Sequence, residues 1–442
     1  MKIHILGISG TFMTGIAILA KQLGHQVTGS DRNIYEPMKS VLKNAEIKVF
    51  ENYNPNVLDN KLDLVIVGNV MSRGMPIIEK LLKSNLEFTS GPQWLKENIL
   101  VNKKVIAVSG THGKTTTSSM ITWILKFSKY KPSYLIGGLP KNFTTPAKLE
   151  QSEYFVLEAD EYDTAFFDKR SKFIHYKPDI LIINNIEFDH ADIFENINSI
   201  INSFHDLVKL IPNTGSIIYD VDDRNIDELL KIGSWSKLVP ITLKKKKNIK
   251  WNLSKQNNNY YLNNNEIKMD LIGMHNYKNA SLAIIAASIL KIPLSKSIEA
   301  IEKFSGVRRR MEKTSTINID NKEIDIYDDF AHHPTEIKFS IESLKEKFPE
   351  KKLLSICEIR SNSMIRGTHK DELYKALILS DISFVIASKK VNWKFSNTDK
   401  KISMIDSLKG INEHIHKNLK KFDLILIMSN VDTKEIVKSI KN

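Results

Sequence analysis

Residues 105–116, Val105-Ile-Ala-Val-Ser-Gly-Thr-His-Gly-Lys-Thr-Thr116, set a short apolar run against a glycine-containing turn that ends in a lysine and two threonines. Read as strand, tight turn and helix, the stretch leaves backbone N–H groups converging on the turn, the arrangement that surrounds phosphate oxygens. Lys114 adds a point charge and Thr115 a hydroxyl suited to Mg²⁺. The usual phosphate-loop pattern asks for a glycine five residues before Gly113, and Val108 stands there instead. The strand-turn-helix context restores what the bare pattern misses, so Gly110, Thr111, His112, Gly113, Lys114, Thr115 and Thr116 are the candidate nucleotide site. The bland alternative is a tight turn with no ligand.

Outward from this loop, polar residues recur just beyond apolar strands, where open α/β sheets bind their ligands. Glu158-Ala-Asp-Glu-Tyr-Asp163 follows one such run, and Mg²⁺ takes one or two carboxylates while keeping water and phosphate oxygens. Alone, these acids could equally be a solvated loop. The strand at residues 180–183 breaks the tie, because it runs into Asn184-Asn-Ile-Glu-Phe-Asp-His190-Ala-Asp192, with His190 flanked by acids. Asn276 and Asn279 place two amides one helical turn apart, suited to a base edge or to helix capping. Of Arg308, Arg309 and Arg310, a guanidinium could clamp a transferring phosphate, or the run could be solvated. Asp328-Asp-Phe-Ala-His-His-Pro-Thr335 brings acids and imidazoles to one loop. A second glycine turn, Gly7-Ile-Ser-Gly-Thr-Phe-Met-Thr-Gly15, has Asp31 about one βαβ step later and by itself suggests NAD.

At 442 residues the chain exceeds what one core supports, so we expect three α/β domains: residues 1–100, 101–311 and 312–442. Strands are expected at residues 3–6, 26–29, 64–67, 105–108, 154–157, 180–183, 324–327, 352–356, 382–387 and 424–428, and a surface hairpin insertion near 236–270. The net charge of +13 invites a nucleic-acid reading, but the only dense basic run, from Lys244, lacks aromatic interleaving. No nucleic-acid partner is expected. Cys357, the only cysteine, sits among apolar residues and reads as a packed thiol in a reducing compartment. Three glycines interrupt the apolar N-terminal stretch and no long apolar span occurs, so we expect a cytoplasmic protein, without membrane contact and monomeric.

With these motifs in one order, the chain resembles the Mur ligase family over nearly its whole length. The stretches that carry the resemblance are residues 7–15, 90–95, 110–117, 158–170, 185–194, 328–335 and 360–364; those at Gln93-Trp94, 166–170 and 360–364 resemble the branch that attaches an intact tripeptide. The resemblance implies a three-domain α/β architecture: a Rossmann-like N-terminal domain for a UDP-sugar, a central P-loop ATPase domain, and a Rossmann-like C-terminal domain that closes on ATP and receives the peptide. It moves the first glycine turn from NAD to UDP, with Gly7, Ser9, Gly10, Thr11 and Asp31 as contacts. It implies ATP and Mg²⁺, and activation of the lactyl carboxylate of UDP-N-acetylmuramate as an acyl phosphate that the tripeptide amine attacks. Lys114, Glu158, His190 and Arg310 would be catalytic. Thr115, Glu158 and His190 would hold metal, Asn276 and Asn279 adenine, Arg310 the γ-phosphate, and Asp329 the nucleotide. Arg360, Ser361 and Asn362 would meet the diaminopimelate end. The rivals are ligation of free L-alanine, a degenerate homologue that binds nucleotide without ligating, and an NAD-dependent oxidoreductase. One departure stands out: where the family has a glycine-rich turn, this chain reads Met428-Ser-Asn-Val-Asp-Thr-Lys434.

Overall fold

The computed structural model describes residues 1–244, 246–319, 321–395, 400–406 and 419–441. Its contacts divide the chain into two compact units, one of residues 1–187, 196–269 and 278–305, the other of residues 188–195, 270–277 and 306 onward.

The first unit holds two large sheets. In the first, the strands Lys48–Glu51, Gln26–Asp31, Lys2–Leu6, Leu64–Val67 and Phe88–Ser90 lie side by side in that order, all parallel. In the second, Ile180–Ile183 and Tyr154–Glu158 flank Lys104–Ser109 in parallel, so the two acid-bearing loops emerge on either side of the phosphate loop. The geometry follows from the sequence: parallel strands covered on both faces need unbroken apolar runs, and all four side chains of Ile180–Ile183 are buried. Each such side chain contributes about 1.5–3 kcal/mol by leaving water. The strands expected from sequence all occur, with ends shifted by up to three residues. The hairpin expected in the insertion occurs, Trp251–Gln256 pairing antiparallel with Asn259–Leu262 and that strand with Asn265–Ile267, but with Lys237–Thr242 these strands continue the sheet. Trp251, Leu253, Tyr260, Leu262 and Ile267 are buried, so apolar alternation outweighed the asparagine-rich composition.

The second unit carries a sheet in the order Glu312–Ile319, Lys322–Asp329, Leu424–Met428, Leu353–Ile359, Ile382–Ala387 and Ile402–Ile405, parallel apart from the first pair. Leu353, Cys357 and Ile359 enter one core while Leu354 and Ile356 enter the other, the period-two alternation of a strand buried on both faces. Cys357 is buried, and burial pushes its thiol up to about 12. Among the described residues, no helix is long and apolar enough to cross a membrane.

Candidate active site

The phosphate loop is held from the neighbouring strand. Asn185 accepts the Thr111 N–H on its carbonyl at 3.1 Å and the His112 N–H on its side chain at 2.8 Å. Asn184 Nδ2 donates to the His112 carbonyl at 3.1 Å, to Thr117 Oγ1 at 3.0 Å and to Asn279 Oδ1 at 3.2 Å. Gly113 takes φ +82°, and a Cβ there would come within 2.6 Å of Asn184 Nδ2 and 2.7 Å of Asn279 Oδ1. Only glycine fits such a turn. The helix Lys114–Phe127 then starts at the loop with Thr115 and Thr116 buried, so its positive end faces the turn.

The acids after strand Tyr154–Glu158 converge on this loop. Lys114 Nζ donates to the Gly110 carbonyl at 2.6 Å and to Glu161 Oε2 at 3.0 Å, with Asp160 Oδ1 at 3.9 Å. Burial alone would lower the Lys114 ammonium; Glu161 and Asp160 outweigh it, with Glu158 adding, and hold it above its ordinary value. Thr115 Oγ1 donates to Glu158 Oε2 at 3.2 Å, and the amide of Gly137 donates to the same carboxylate. A hydroxyl and a carboxylate facing each other at a helix start are oxygen donors of the kind Mg²⁺ takes. These residues fit the ion. Glu161 and Asp160 had not stood out from their neighbours in the sequence; their part depends on contacts 46 or more positions away.

The first glycine turn is organised by the acid the sequence singled out. Ser9 donates its N–H to Asp31 Oδ2 at 2.9 Å, and Gly7, at φ +79°, donates to the Ser30 carbonyl at 2.9 Å. Gly10 caps the helix Thr11–Gln22 that follows. Further along, the Gln93 and 166–170 segments meet in space: His175 Nδ1 lies 2.9 Å from Gln93 Oε1 and its Nε2 3.1 Å from Asp168 Oδ2, while Asp168 forks with Arg170. Burial lowers the His175 imidazole, against Asp168, which raises it.

The remaining candidates belong to the second unit, apart from Asn279. His190 sits at φ +56°, a left-handed conformation that costs a non-glycine residue about 1–3 kcal/mol and collects at functional loops. The loop around it is gripped by its own unit. Ser363 Oγ donates to Asp189 Oδ1 at 3.2 Å, Asn362 Nδ2 to Asp192 Oδ2 at 3.0 Å and Arg366 Nη1 to the Ala191 carbonyl at 2.9 Å. Burial would raise the Asp189 carboxyl, but His190, His333 and His332 bring it down to about 2. Asp189, His333 and His369 form a buried acid-imidazole cluster, with donor atoms within 4.8 Å of one another. Asp329 spends its oxygens inward, accepting from Met311 N–H at 3.2 Å, Ala331 N–H at 3.0 Å and Ser340 Oγ at 2.9 Å. Burial pushes this carboxyl up to about 6 against the Arg310 charge, with Glu336 adding. Arg310 lies over the Phe330 ring, 5.0 Å from its centre, and 3.4 Å from Glu336. Asn276 Nδ2 donates to the Ile272 carbonyl at 2.7 Å, tying the helix start to the residues before it. Arg360 forks onto Glu358 at 2.7 Å while half its side chain stays exposed, and Ser361 caps the turn Asn362–Ile365.

A phosphate loop with its lysine, a hydroxyl-carboxylate pair beside it and a glycine turn on a separate Rossmann-like sheet are the parts of a nucleotide-binding enzyme, and the chain belongs to the Mur ligase family, a family of ATP-dependent ligases. Residues 2–102 match the model described as Mur ligase family, catalytic domain; residues 108–287 the Mur ligase middle domain; residues 309–431 the Mur ligase, glutamate ligase domain. The chain is 41% identical over 443 residues to the UDP-N-acetylmuramate--L-alanyl-gamma-D-glutamyl-meso-2,6-diaminoheptandioate ligase of Escherichia coli, covering 97% of this chain and 95% of that protein. It is 42% identical over 404 residues to the Haemophilus influenzae protein of the same description, covering 89% and 87%. Among solved structures it is similar to a murein peptide ligase from Psychrobacter arcticus, with a TM-score of 0.80 and 36% identity over 100% of this chain and 99% of that one. The three-domain α/β architecture of the family is therefore the architecture of this chain.

Proposed function

We propose that the chain joins L-alanyl-γ-D-glutamyl-meso-diaminopimelate to the lactyl carboxylate of UDP-N-acetylmuramate, consuming ATP. The observation that carries this reading is near-complete coverage of relatives so described, at 41–42% identity, together with the Lys114 loop and the Thr115–Glu158 pair. ATP supplies the phosphoryl group that activates the carboxylate, and Mg²⁺ offsets its charge.

The chain's own residues then have distinct parts. Gly110 to Thr116 surround the phosphates: Asn185 holds the Thr111 and His112 N–H groups and so fixes the loop, the N–H groups at Gly113 and the helix start take the phosphate oxygens, and Lys114 is their cation. Thr115 and Glu158 hold Mg²⁺, and His190 serves a metal near the acyl phosphate. Asn279 and Asn276 take adenine and Arg310 the γ-phosphate. Asp329 acts on the nucleotide by shaping the loop that Met311 and Ala331 share with it. Gly7, Ser9, Gly10, Thr11 and Asp31 form the UDP-sugar turn. The exposed half of Arg360, with Ser361 and Asn362, meets the peptide's carboxylates. No residue forms a covalent bond to substrate: positioning and charge neutralisation suffice, because the carboxylate oxygen attacks the γ-phosphorus and ADP leaves, and the amine then attacks the acyl carbon, releasing phosphate and a proton. We assign residues 1–100 to the sugar nucleotide, 101–311 to ATP and 312–442 to nucleotide closure and peptide, in a monomeric cytoplasmic enzyme.

Phosphate release measured with ATP, Mg²⁺ and UDP-N-acetylmuramate, with tripeptide against L-alanine as acceptor, tests the reading. Turnover is expected with the tripeptide. Turnover with L-alanine alone overturns it.

A further inference from the structure

Lys172 opens the short turn Lys172–His175, directly after the strand Asp168–Ser171. Its residue surface is only 8% exposed, and buried lysines are rare unless paired. Nζ donates to Asp160 Oδ2 at 3.0 Å and stands over two aromatic faces, 5.7 Å from the centre of Phe12 and 5.5 Å from that of Tyr162. The Lys172 N–H donates to the Tyr162 carbonyl at 2.9 Å, fixing where the side chain starts. Aromatic faces attract an ammonium but take none of its hydrogen bonds in the way an oxygen does. Among the described residues, Asp160 is the one oxygen partner of this three-proton donor.

The surroundings say what a second partner would be. Asp160 holds Lys172 with one oxygen and faces Lys114 Nζ at 3.9 Å with the other. Phe12 lies in the first turn of the helix Thr11–Gln22, just past the Gly7–Gly10 turn. The ammonium is thus one carboxylate away from the phosphate lysine and against the start of the sugar-nucleotide helix. A carboxylate already fits between the two cations, since Asp160 occupies that place. The ligation read above must bring a second carboxylate, that of the acid substrate, up to a phosphate of the same charge. Lys114 faces the phosphate side, and a cation is needed on the other.

We propose that Lys172 binds the free carboxylate of the UDP-sugar substrate, exchanging one carboxylate partner for another, and so determines that the enzyme accepts an acidic sugar nucleotide. It transfers no proton and forms no bond; it orients the attacking oxygen. The proposal rests on the ligase reading above and deepens it.

Titration calorimetry with UDP-N-acetylmuramate and with UDP-N-acetylglucosamine, which lacks the lactyl carboxylate, separates the possibilities. The wild-type chain is expected to prefer the acidic ligand. Lys172→Met should weaken that ligand about 10- to 100-fold, the scale of a hydrogen bond to a charged group, and leave the neutral one within about twofold. Lys172→Arg should keep part of the preference, and ATP affinity should hold in both. Asp160→Asn, which removes the competing charge, should tighten the acidic ligand and not the neutral one, and this arm stands even if Lys172→Met does not fold. Equal weakening of both ligands in Lys172→Met would make the residue structural and overturn the proposal. So would an undiminished preference, or a wild-type chain that binds the two alike. A wild-type chain that binds neither sugar nucleotide sinks the ligase reading itself.

Discussion

The phosphate loop and the Asp329 loop are built alike: each follows a parallel strand, leads into a helix and sets carboxylates beside a cation. They use the charges in opposite ways. At Lys114 the acids win over burial, and the ammonium is held charged with oxygen partners on several sides. At Asp329 burial wins over Arg310, and the carboxyl is pushed up to about 6. The difference lies in stoichiometry. Three acids surround one lysine in the first loop, whereas Asp329 shares Arg310 with Glu336. The same frame gives a fixed charge in one place and a proton-sensitive group in the other.

The largest test of this contrast is Lys114→Ala. Leaving Glu161 and Asp160 without their cation should cost about 10³-fold in ligation, the scale of losing a preorganised electrostatic group; full turnover would remove the phosphate-loop mechanism. Next comes the pH dependence of the second unit. The folded chain keeps a proton on Asp329 up to about 6, while the unfolded chain releases it near 3.8. Unfolding free energy should therefore fall as pH rises from about 4 to 6, by roughly 3 kcal/mol across the window. Asp329→Asn should flatten that slope in urea titrations, and an unchanged slope would show that Asp329 does not carry it.

Glu158→Gln keeps the shape and removes the charge facing Thr115. It should weaken Mg²⁺ activation about 10²-fold, read from the metal dependence of turnover; unchanged metal dependence would move the ion elsewhere. The smallest effect is expected at Ser363→Ala, which deletes the hydroxyl between Asp189 and the Ala191 N–H. A loss of about 1 kcal/mol in thermal stability follows from one hydrogen bond. A change several times larger would mean that the left-handed His190 turn depends on this serine.

What could be read from the sequence was local. The parallel strands announced themselves as short apolar runs, and the phosphate loop as a strand meeting a glycine turn, because both depend on neighbours in the chain. The polar stretch near 250 was legible as a hairpin, because alternation and turn asparagines are local, but its continuation of the sheet, which buries Trp251 and Leu262, is a pairing outside the hairpin that composition does not report. The tie between Gln93, His175 and Asp168 joins residues 82 positions apart, and no periodicity reports it. Lys172 hid in a basic-looking run, DKRSK, where two neighbours are exposed and it alone of the three basic residues is buried. The glycine-free stretch at residues 428–434 also gains an explanation only in three dimensions. Arg309 donates to the carbonyls of Ser429 and Val431 at 2.8 and 2.5 Å, and Thr433 Oγ1 donates to Asp328 at 2.9 Å. Side chains hold that turn where glycines would have let it bend.

The thiol of Cys357 has a practical use. It is the chain's only cysteine, it lies inside a sheet, and burial leaves almost no thiolate at neutral pH. Maleimide reagents will pass it by. A cysteine placed at one chosen surface position can then be labelled alone, with the native sequence otherwise intact, and its dye would report on that position in real time.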